Sequence, residues 1–307
     1  MTIGLIGLGN IGFHFASRLL AASQDLAVYD LDTQRLARVA ELGGRPAASF
    51  KDLATQCEIL LLSLPMPGIV KSVAAELAGI PQDMADGKLR IVLDLSTTGP
   101  AVTKEVAMLL ADRGIGFISA PVSGGTQAAE KGTLAIMAAG AAEPFRQVEP
   151  LLRILGTNIF YLGADPSLGQ TMKILNNTLS AVNMVAALEA LVYGVKAGLD
   201  PQTMLDILNV SSGRSYHTLE RIPQCVLDRS FPMRFAIDLL HKDIKMCLED
   251  AERIGSTLMI APAARQFLAF AITQGDGDKD SVHIIRHFEQ WAGVQVGAAV
   301  THPQEVP

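Results

Sequence analysis

Lys173, in the stretch "GQTMKILNN" at residues 169–177, is the only charged residue between Asp165 and Glu189. Its neighbours are apolar, small or amide side chains. An ammonium in such a run loses hydration unless another interaction compensates. On a helix, Gly169, Lys173, Asn177 and Ser180 fall on one stripe at i, i+4, i+8 and i+11. That stripe carries a point of close backbone approach, a cation, an amide and a hydroxyl. A buried polar stripe is either satisfied within the protein or turned towards a ligand. The chemistry it suits is proton transfer, because desolvation disfavours a charged amine and lets it act as a base near neutral pH. The helix alone leaves a second reading open: a lysine that snorkels to the surface beside two amides.

The element that must position these residues is long. Residues 169–197 read as one helix, too apolar all round for a solvent-exposed arm. Gly198 ends it, and Asp200 and Pro201 open the next helix as cap and first-turn residue. The apolar part at 182–195 is broken by Asn183 and Glu189, which leaves it short of a membrane span. The chain beyond residue 201 has helical patterns and hardly any strand signals. The sequence therefore predicts an all-α C-terminal domain at 165–295, serving substrate binding and dimerisation, and a flexible tail at 296–307. A long apolar helix on a small domain leaves surface that one copy does not cover, so a homodimer or homotetramer is expected.

The N-terminal half has a different pattern. Ile3–Ile6 read as a buried strand, and residues 13–20 have helical apolar spacing. Between them Gly7, Leu8, Gly9, Asn10, Ile11 and Gly12 form a complete G-x-G-x-x-G turn. Its glycines give a tight turn, let backbone approach a pyrophosphate and let the helix pack closely on the strand. The next strand, "LAVYDL", ends in Asp30, at the spacing of an acid that binds the adenine ribose. A carboxylate there accepts from the ribose hydroxyls and repels a 2′-phosphate, which favours NAD over NADP. Arg35 and Arg38 read as the solvated face of the next helix. The segments "EILLLSLP", "LRIVLDLS", "IGFIS", "TLAIMAA" and "NIFYLG" continue the strand pattern. The prediction is a Rossmann-type α/β domain at 1–164 with a doubly wound, mainly parallel sheet. Ligands bind beyond the carboxyl ends of such strands, where "SLPMP" (Leu64, Pro65) and "DLSTTGP" (Ser96) lie. Pro65 and Pro67 are equally good turn residues, and Ser96 an equally good helix cap.

Composition narrows the partners. Of 307 residues, 49% are apolar and 18% charged, which fits a packed globular chain. The net charge of −6 argues against nucleic acid or an anionic membrane as partner. Cys57, Cys225 and Cys247 are scattered, which suits a reducing compartment and gives no metal cage. A basic leader is absent, and a cytoplasmic protein is expected. His283 and His287 have i, i+4 spacing but no acid between them. They read as a solvated helix face, with no metal.

In its motifs the chain resembles the β-hydroxyacid dehydrogenase family, which includes 3-hydroxyisobutyrate dehydrogenases and tartronate semialdehyde reductases. "GLIGLGNIG", "DLSTTGP", "APVSGGTQAAEKGTLAIMAAG", "GQTMKILNN" and "DLLHKDIKMCLEDA" occur in the family's order, across nearly the whole chain to about Gly293. The resemblance implies that Lys173 is the catalytic lysine and Asn177 its neighbouring substrate residue. It also implies that Ser123, Gly124 and Gly125 receive the substrate carboxylate, a role that a hydroxyl and successive glycine N–H groups can fill. Thr97 then lies near the nicotinamide, and Lys242 at the cofactor end of the site. Ser119 departs from the family, where many members carry Asp, and "MAAG" replaces the commoner "MVGG".

The implied function is reversible, NAD-dependent hydride transfer to and from a small hydroxy-carboxylate, such as 3-hydroxyisobutyrate, glycerate or tartronate semialdehyde. An imine reductase on the same scaffold is the first alternative, disfavoured because such relatives generally replace the lysine. A non-catalytic dinucleotide-binding module is the second, and it has no need of the lysine–asparagine stripe.

Overall fold

A sheet covered by helices on both faces needs strands that are apolar on both sides, and the N-terminal half supplies them. The computed structural model describes residues 2–80 and 89–297. Its first unit, Met1–Ile174, runs β1 (Ile3–Ile6), α1 (Gly12–Ala21), β2 (Leu26–Tyr29), α2 (Thr33–Glu41), β3 (Arg45–Pro46), α3 (Phe50–Gln56), β4 (Ile59–Leu62), α4 (Pro67–Gly79), β5 (Ile91–Asp94) and α5 (Pro100–Ala111). Next come β6 (Gly116–Ser119), β7 (Val122–Ser123), α6 (Gly125–Lys131), β8 (Leu134–Gly140), α7 (Ala142–Leu155), β9 (Gly156–Tyr161) and the start of α8 (Ser167–Lys196). β1, β4 and β5 are buried at every position.

The strand order is β3-β2-β1-β4-β5-β6-β8-β7, with β9 beside β8. Pairing from β3 through β6 is parallel; β8 runs antiparallel to β6 and β7 and parallel to β9. The fold is therefore the doubly wound, mainly parallel Rossmann type that the sequence implies. The order reverses at β1, so the chain leaves β1 and β4 in opposite directions and opens a crevice at their carboxyl ends. The strands β3 and β7 escape the sequence reading, since two residues carry no periodicity.

The second unit, Leu175–Pro307, is helical: the remainder of α8, then α9 (Pro201–Asn209), a π-helical turn at His217–Arg221, α10 (Ile222–Cys225), α11 (Ile237–Arg253), α12 (Ala261–Thr273), a 3₁₀ turn at Ser281–Ile284 and α13 (Ile285–Ala292). Leu188, Leu191, Ile222, Ile237, Ile244 and Leu268 share its core. Gly198, at φ +93°, ends α8, and the Asp200 carboxylate accepts from Thr203 N–H at 2.8 Å. The buried Asp280 carboxylate pairs with Arg221 and also accepts the backbone N–H groups of Val282, Arg234 and Phe235. A charge so surrounded is costly to bury alone but well compensated here.

Three features bear on the expected layout. The compact units divide at 174/175, inside α8, because the first turns of α8 pack on the first unit's strand ends; the expected boundary at 164/165 lies in the connection before α8. A Cβ at Gly169 would lie 2.5 Å from the Met137 carbonyl oxygen. Of the tail expected at 296–307, residues 298–307 lie outside the described residues, whereas Val296 is buried and its N–H donates to Glu289. Finally, on α8, Leu168, Met172, Leu175, Leu179 and Tyr193 are each at least 37% exposed. Among the described residues it is also the one helix that by length and composition could cross a membrane, despite Asn183 and Glu189. Its polar residues Gln170, Lys173 and Asn177 are nonetheless buried within the protein.

Candidate active site

The glycine turn after β1 is dictated by crowding. A Cβ at Gly12 would sit 1.9 Å from the Gly7 carbonyl oxygen, and one at Gly7, whose φ is +91°, would sit 2.2 Å from that of Ser63. Gly9 differs: a Cβ there would meet only the Arg35 guanidinium, at 3.9 Å. The turn thus presses α1 against β1 and leaves open space over its middle glycine. No side chain caps α1, and Phe13 N–H is satisfied by the Gly9 carbonyl at 2.9 Å, so the turn's own backbone begins the helix. Such a cradle fits the pyrophosphate of a dinucleotide.

Asp30 stands at the end of β2 with its side chain 9% exposed. Its Oδ2 accepts Leu8 N–H at 2.6 Å and its Oδ1 accepts Asp32 N–H at 2.9 Å, which ties the acid to the glycine turn. Arg35 is exposed but not simply solvated. Its guanidinium lies 3.8 Å from Asp30 and 3.3 Å from Asp32. Arg38 lies over the Phe13 ring, 4.2 Å from its centroid.

The loops after β4 and β5 are joined to each other and to α8. Ser96 Oγ accepts Leu64 N–H at 2.9 Å, so Ser96 braces the neighbouring loop rather than capping its own helix. Beneath it the Asp94 carboxylate, fully buried, accepts Ser96 N–H at 3.0 Å and the Thr98 hydroxyl at 3.5 Å. Gln170, 0% exposed, reaches the same loop from α8: its Oε1 accepts Thr98 and Gly99 N–H, and its Nε2 donates to the Ser96 carbonyl and to Ser119 Oγ. Ser119 thus serves as the neutral partner of an amide.

Two residues beyond Pro121, which packs on Gly169, the chain enters the expected substrate loop. Ser123 ends β7, Gly124 has φ +130° and Gly125 φ +68°, and α6 begins there without a side-chain cap. Backbone N–H groups in such a turn can converge on an anion. Lys173 lies on α8 one turn beyond Gln170 and is 8% exposed.

Asn177 belongs to the second unit. Its Nδ2 donates to Asp243 Oδ2 at 2.6 Å, and Lys242 Nζ lies 3.3 Å from Asp243 Oδ1, an ion pair without hydrogen-bond geometry. Sequence reasoning misses Asp243; its signal is an acid between Lys242 and Lys245 on a helix whose buried face includes it. Ser180 Oγ and His217 Nε2 lie 3.0 Å apart, and burial, with the Arg221 charge behind it, pushes the imidazole down to about 4. His283 and His287 are not a solvated face. Their side chains are 15% and 11% exposed and both approach Asp276, His287 at 2.9 Å. Among the described residues no group of three or more His, Cys, Asp or Glu is placed to hold a metal.

Residues 2–163 match the family model described as the NAD binding domain of 6-phosphogluconate dehydrogenase. Residues 167–288 match the model described as NAD-binding of NADP-dependent 3-hydroxyisobutyrate dehydrogenase. The chain is 35% identical over 294 residues to the 2-(hydroxymethyl)glutarate dehydrogenase of Eubacterium barkeri, covering 96% of this chain and 97% of that one. It is 32% identical over 286 residues to the L-threonate dehydrogenase of Cupriavidus necator, with 93% and 95% covered. The structure of Mycobacterium tuberculosis 3-hydroxyisobutyrate dehydrogenase with L-serine is similar with a TM-score of 0.83 at 25% identity, covering 93% of this chain and 98% of that one.

Asp94 gives this framework a pH signature. Burial pushes its carboxyl up to about 6, against the hydrogen bonds from Ser96 and Thr98 that favour the charged form. A carboxyl whose pKa is higher folded than unfolded makes the folded state bind the extra proton. The stability it confers is therefore lost as pH rises from about 4 through about 6. The loss is on the order of 3 kcal/mol at most. Asp94→Asn keeps the shape and removes the titration. Measured by denaturant unfolding, its stability relative to the parent chain is expected to increase between pH ~4.5 and ~7. A relative stability that stays flat or decreases over that window contradicts the assignment.

Proposed function

Because the chain belongs to the β-hydroxyacid dehydrogenase family of NAD(P)-dependent oxidoreductases acting on a CH–OH group, we propose that it interconverts a small β-hydroxyacid and its carbonyl form, with Lys173 as general acid–base. The observation that carries this reading is the burial of Lys173 on the polar stripe of α8, one turn beyond an amide fixed to the loop after β5. Substrates of the size of 3-hydroxyisobutyrate, glycerate and tartronate semialdehyde suit it. Relatives named for threonate and 2-(hydroxymethyl)glutarate point to the same hydroxy-carboxylate class.

The bound dinucleotide supplies the hydride acceptor or donor. The glycine turn at 7–12 and the start of α1 would hold its pyrophosphate, and Asp30 its adenine ribose. Leu64, Pro65, Ser96, Thr97 and Lys242 complete the cofactor's surroundings. Ser123 Oγ and the N–H groups of Gly124 and Gly125 bind the substrate carboxylate, which fixes the molecule end-on. Asn177 orients the hydroxyl. In oxidation Lys173 Nζ takes the hydroxyl proton as the carbonyl forms; in reduction it returns one to the carbonyl oxygen.

Asp30 supports NAD over NADP. Its carboxylate repels a 2′-phosphate, and together with Asp32 it engages Arg35, a guanidinium that such a phosphate would need. The exposed stripe of α8 supports a homodimer or homotetramer in which a second copy covers Leu168, Met172, Leu175, Leu179 and Tyr193.

Lys173→Ala should lower kcat by at least ~10²-fold while the affinity for NADH stays close to the parent's. Lys173→Arg should fail as well, since a guanidinium stays protonated. Near-normal turnover of Lys173→Ala on the best of a panel of hydroxyacids would overturn the mechanism. Asp30→Ser should shift catalytic efficiency towards NADP by removing the repulsion and releasing Arg35. A parent enzyme that prefers NADP contradicts the cofactor assignment. Light scattering at micromolar concentration is expected to give the mass of two or four chains, and a monomer there rejects the assembly.

A further inference from the structure

We infer that Gln170 is a positioning residue for the reaction: its carboxamide pins the loop at 96–99 to the turn of α8 that carries Lys173. The inference rests on the reading of Lys173 as the proton-transfer group.

The amide uses its whole hydrogen-bonding capacity, two acceptor sites and two donor hydrogens. Oε1 accepts Thr98 N–H at 2.9 Å and Gly99 N–H at 3.2 Å; Nε2 donates at 3.0 Å both to the Ser96 carbonyl and to Ser119 Oγ. These partners lie 51 to 74 residues away in sequence, so the side chain holds together three separate elements. A core position with only a packing role would take Leu or Met at no polar cost, whereas a buried amide is tolerable only when every bond is made.

The partners explain why the bonds matter to the chemistry. Thr98 and Gly99 precede α5, whose N-cap is Gly99 and which has no side-chain cap of its own. The N–H of the N-cap Gly99, and that of Thr98 before it, are therefore satisfied from α8. Ser96, held at its carbonyl, in turn holds Leu64 through its hydroxyl. The two loops expected to face the cofactor are thus braced by one side chain. Gln170 and Lys173 are three residues apart on one helix, about 4.5 Å along its axis. An axial slip of α8 that moved Lys173 would stretch all four bonds together. Close packing at Gly169 against the Met137 carbonyl opposes the same slip.

Two variants test this. Gln170→Met keeps the length and removes the bonds. Gln170→Glu keeps both acceptor contacts but can donate to Ser96 or Ser119 only while protonated. For Gln170→Met, kcat is expected to fall at least ~10-fold, as for a small misplacement of a reacting group, with NADH affinity by fluorescence titration within about threefold. For Gln170→Glu, the ratio of its kcat to the parent's should decrease as pH rises, because ionisation removes the remaining donor. A folded Gln170→Met enzyme with parental kcat overturns the inference, as does a loss of NADH affinity that matches the loss of kcat. Should Gln170→Met fail to fold, the second variant decides, and a pH-independent ratio for Gln170→Glu overturns it. Lys173→Ala measured in parallel separates the two claims. An active Lys173→Ala removes the reading of Lys173, whereas an inactive one beside fully active Gln170 variants removes only the inference.

Discussion

Two helices in the first unit begin against bare backbone, and the rest of the site depends on that closeness. At Gly12 the start of α1 approaches the Gly7 carbonyl; at Gly169 the start of α8 approaches the carbonyl of Met137. Any side chain at either place would push the helix outward by more than the length of a hydrogen bond allows. With both helices seated, the carboxyl ends of β1, β4, β5 and β6 are framed by helix starts. Backbone donors and short polar side chains can then do work that long charged side chains do in more open sites. On the function proposed above, this is how a chain with 18% charged residues would handle an anionic dinucleotide and a carboxylate.

Much of this framework is legible in the sequence. The apolar runs of β1, β2, β4, β5, β6, β8 and β9, the glycine turn and the long α8 all carry period or composition signals that survive folding, because local pattern and tertiary burial agree there. The residues that escape share another property: their role is set by partners distant in sequence. Gln170 is visible as an amide near Lys173, yet nothing in its surroundings names Ser96, Thr98, Gly99 and Ser119 as its partners. Asp243 looks like one more charge on an amphipathic helix until Asn177 is placed against it. His283 and His287 read as solvated because helical spacing says which residues share a face, not what that face meets; it meets Asp276. The same limit explains α8. Hydrophobicity shows that it leaves surface uncovered, and cannot show which residues form the bare stripe.

The second unit handles buried polarity differently from the first. Around the strand ends, neutral amides and hydroxyls predominate, and the buried acid among them, Asp94, is pushed towards its neutral form. In the helical unit, full charges are held in pairs, the buried Arg221 with Asp280 and the partly exposed Arg229 with Glu289. His217 sits between these regimes: it meets Ser180 on α8 and shares its π-helical turn with Arg221, whose charge helps keep the imidazole neutral. Ion pairs give a helical unit, which has no sheet to register its elements, directional contacts that apolar packing lacks.

The room over Gly9 has an evolutionary corollary. Its neighbours Gly7 and Gly12 are held by contacts inside the protein, so drift at either is opposed by folding itself. Gly9 lies outside the left-handed region of backbone space and has nothing of the chain within ordinary contact of a new methyl except the end of a flexible arginine. On the function proposed above, a bound dinucleotide is what would object to a side chain there. A lineage freed from selection for catalysis could thus lose its cofactor by a single substitution and keep an intact, abundant protein, ready to be retained for a purpose unrelated to redox chemistry.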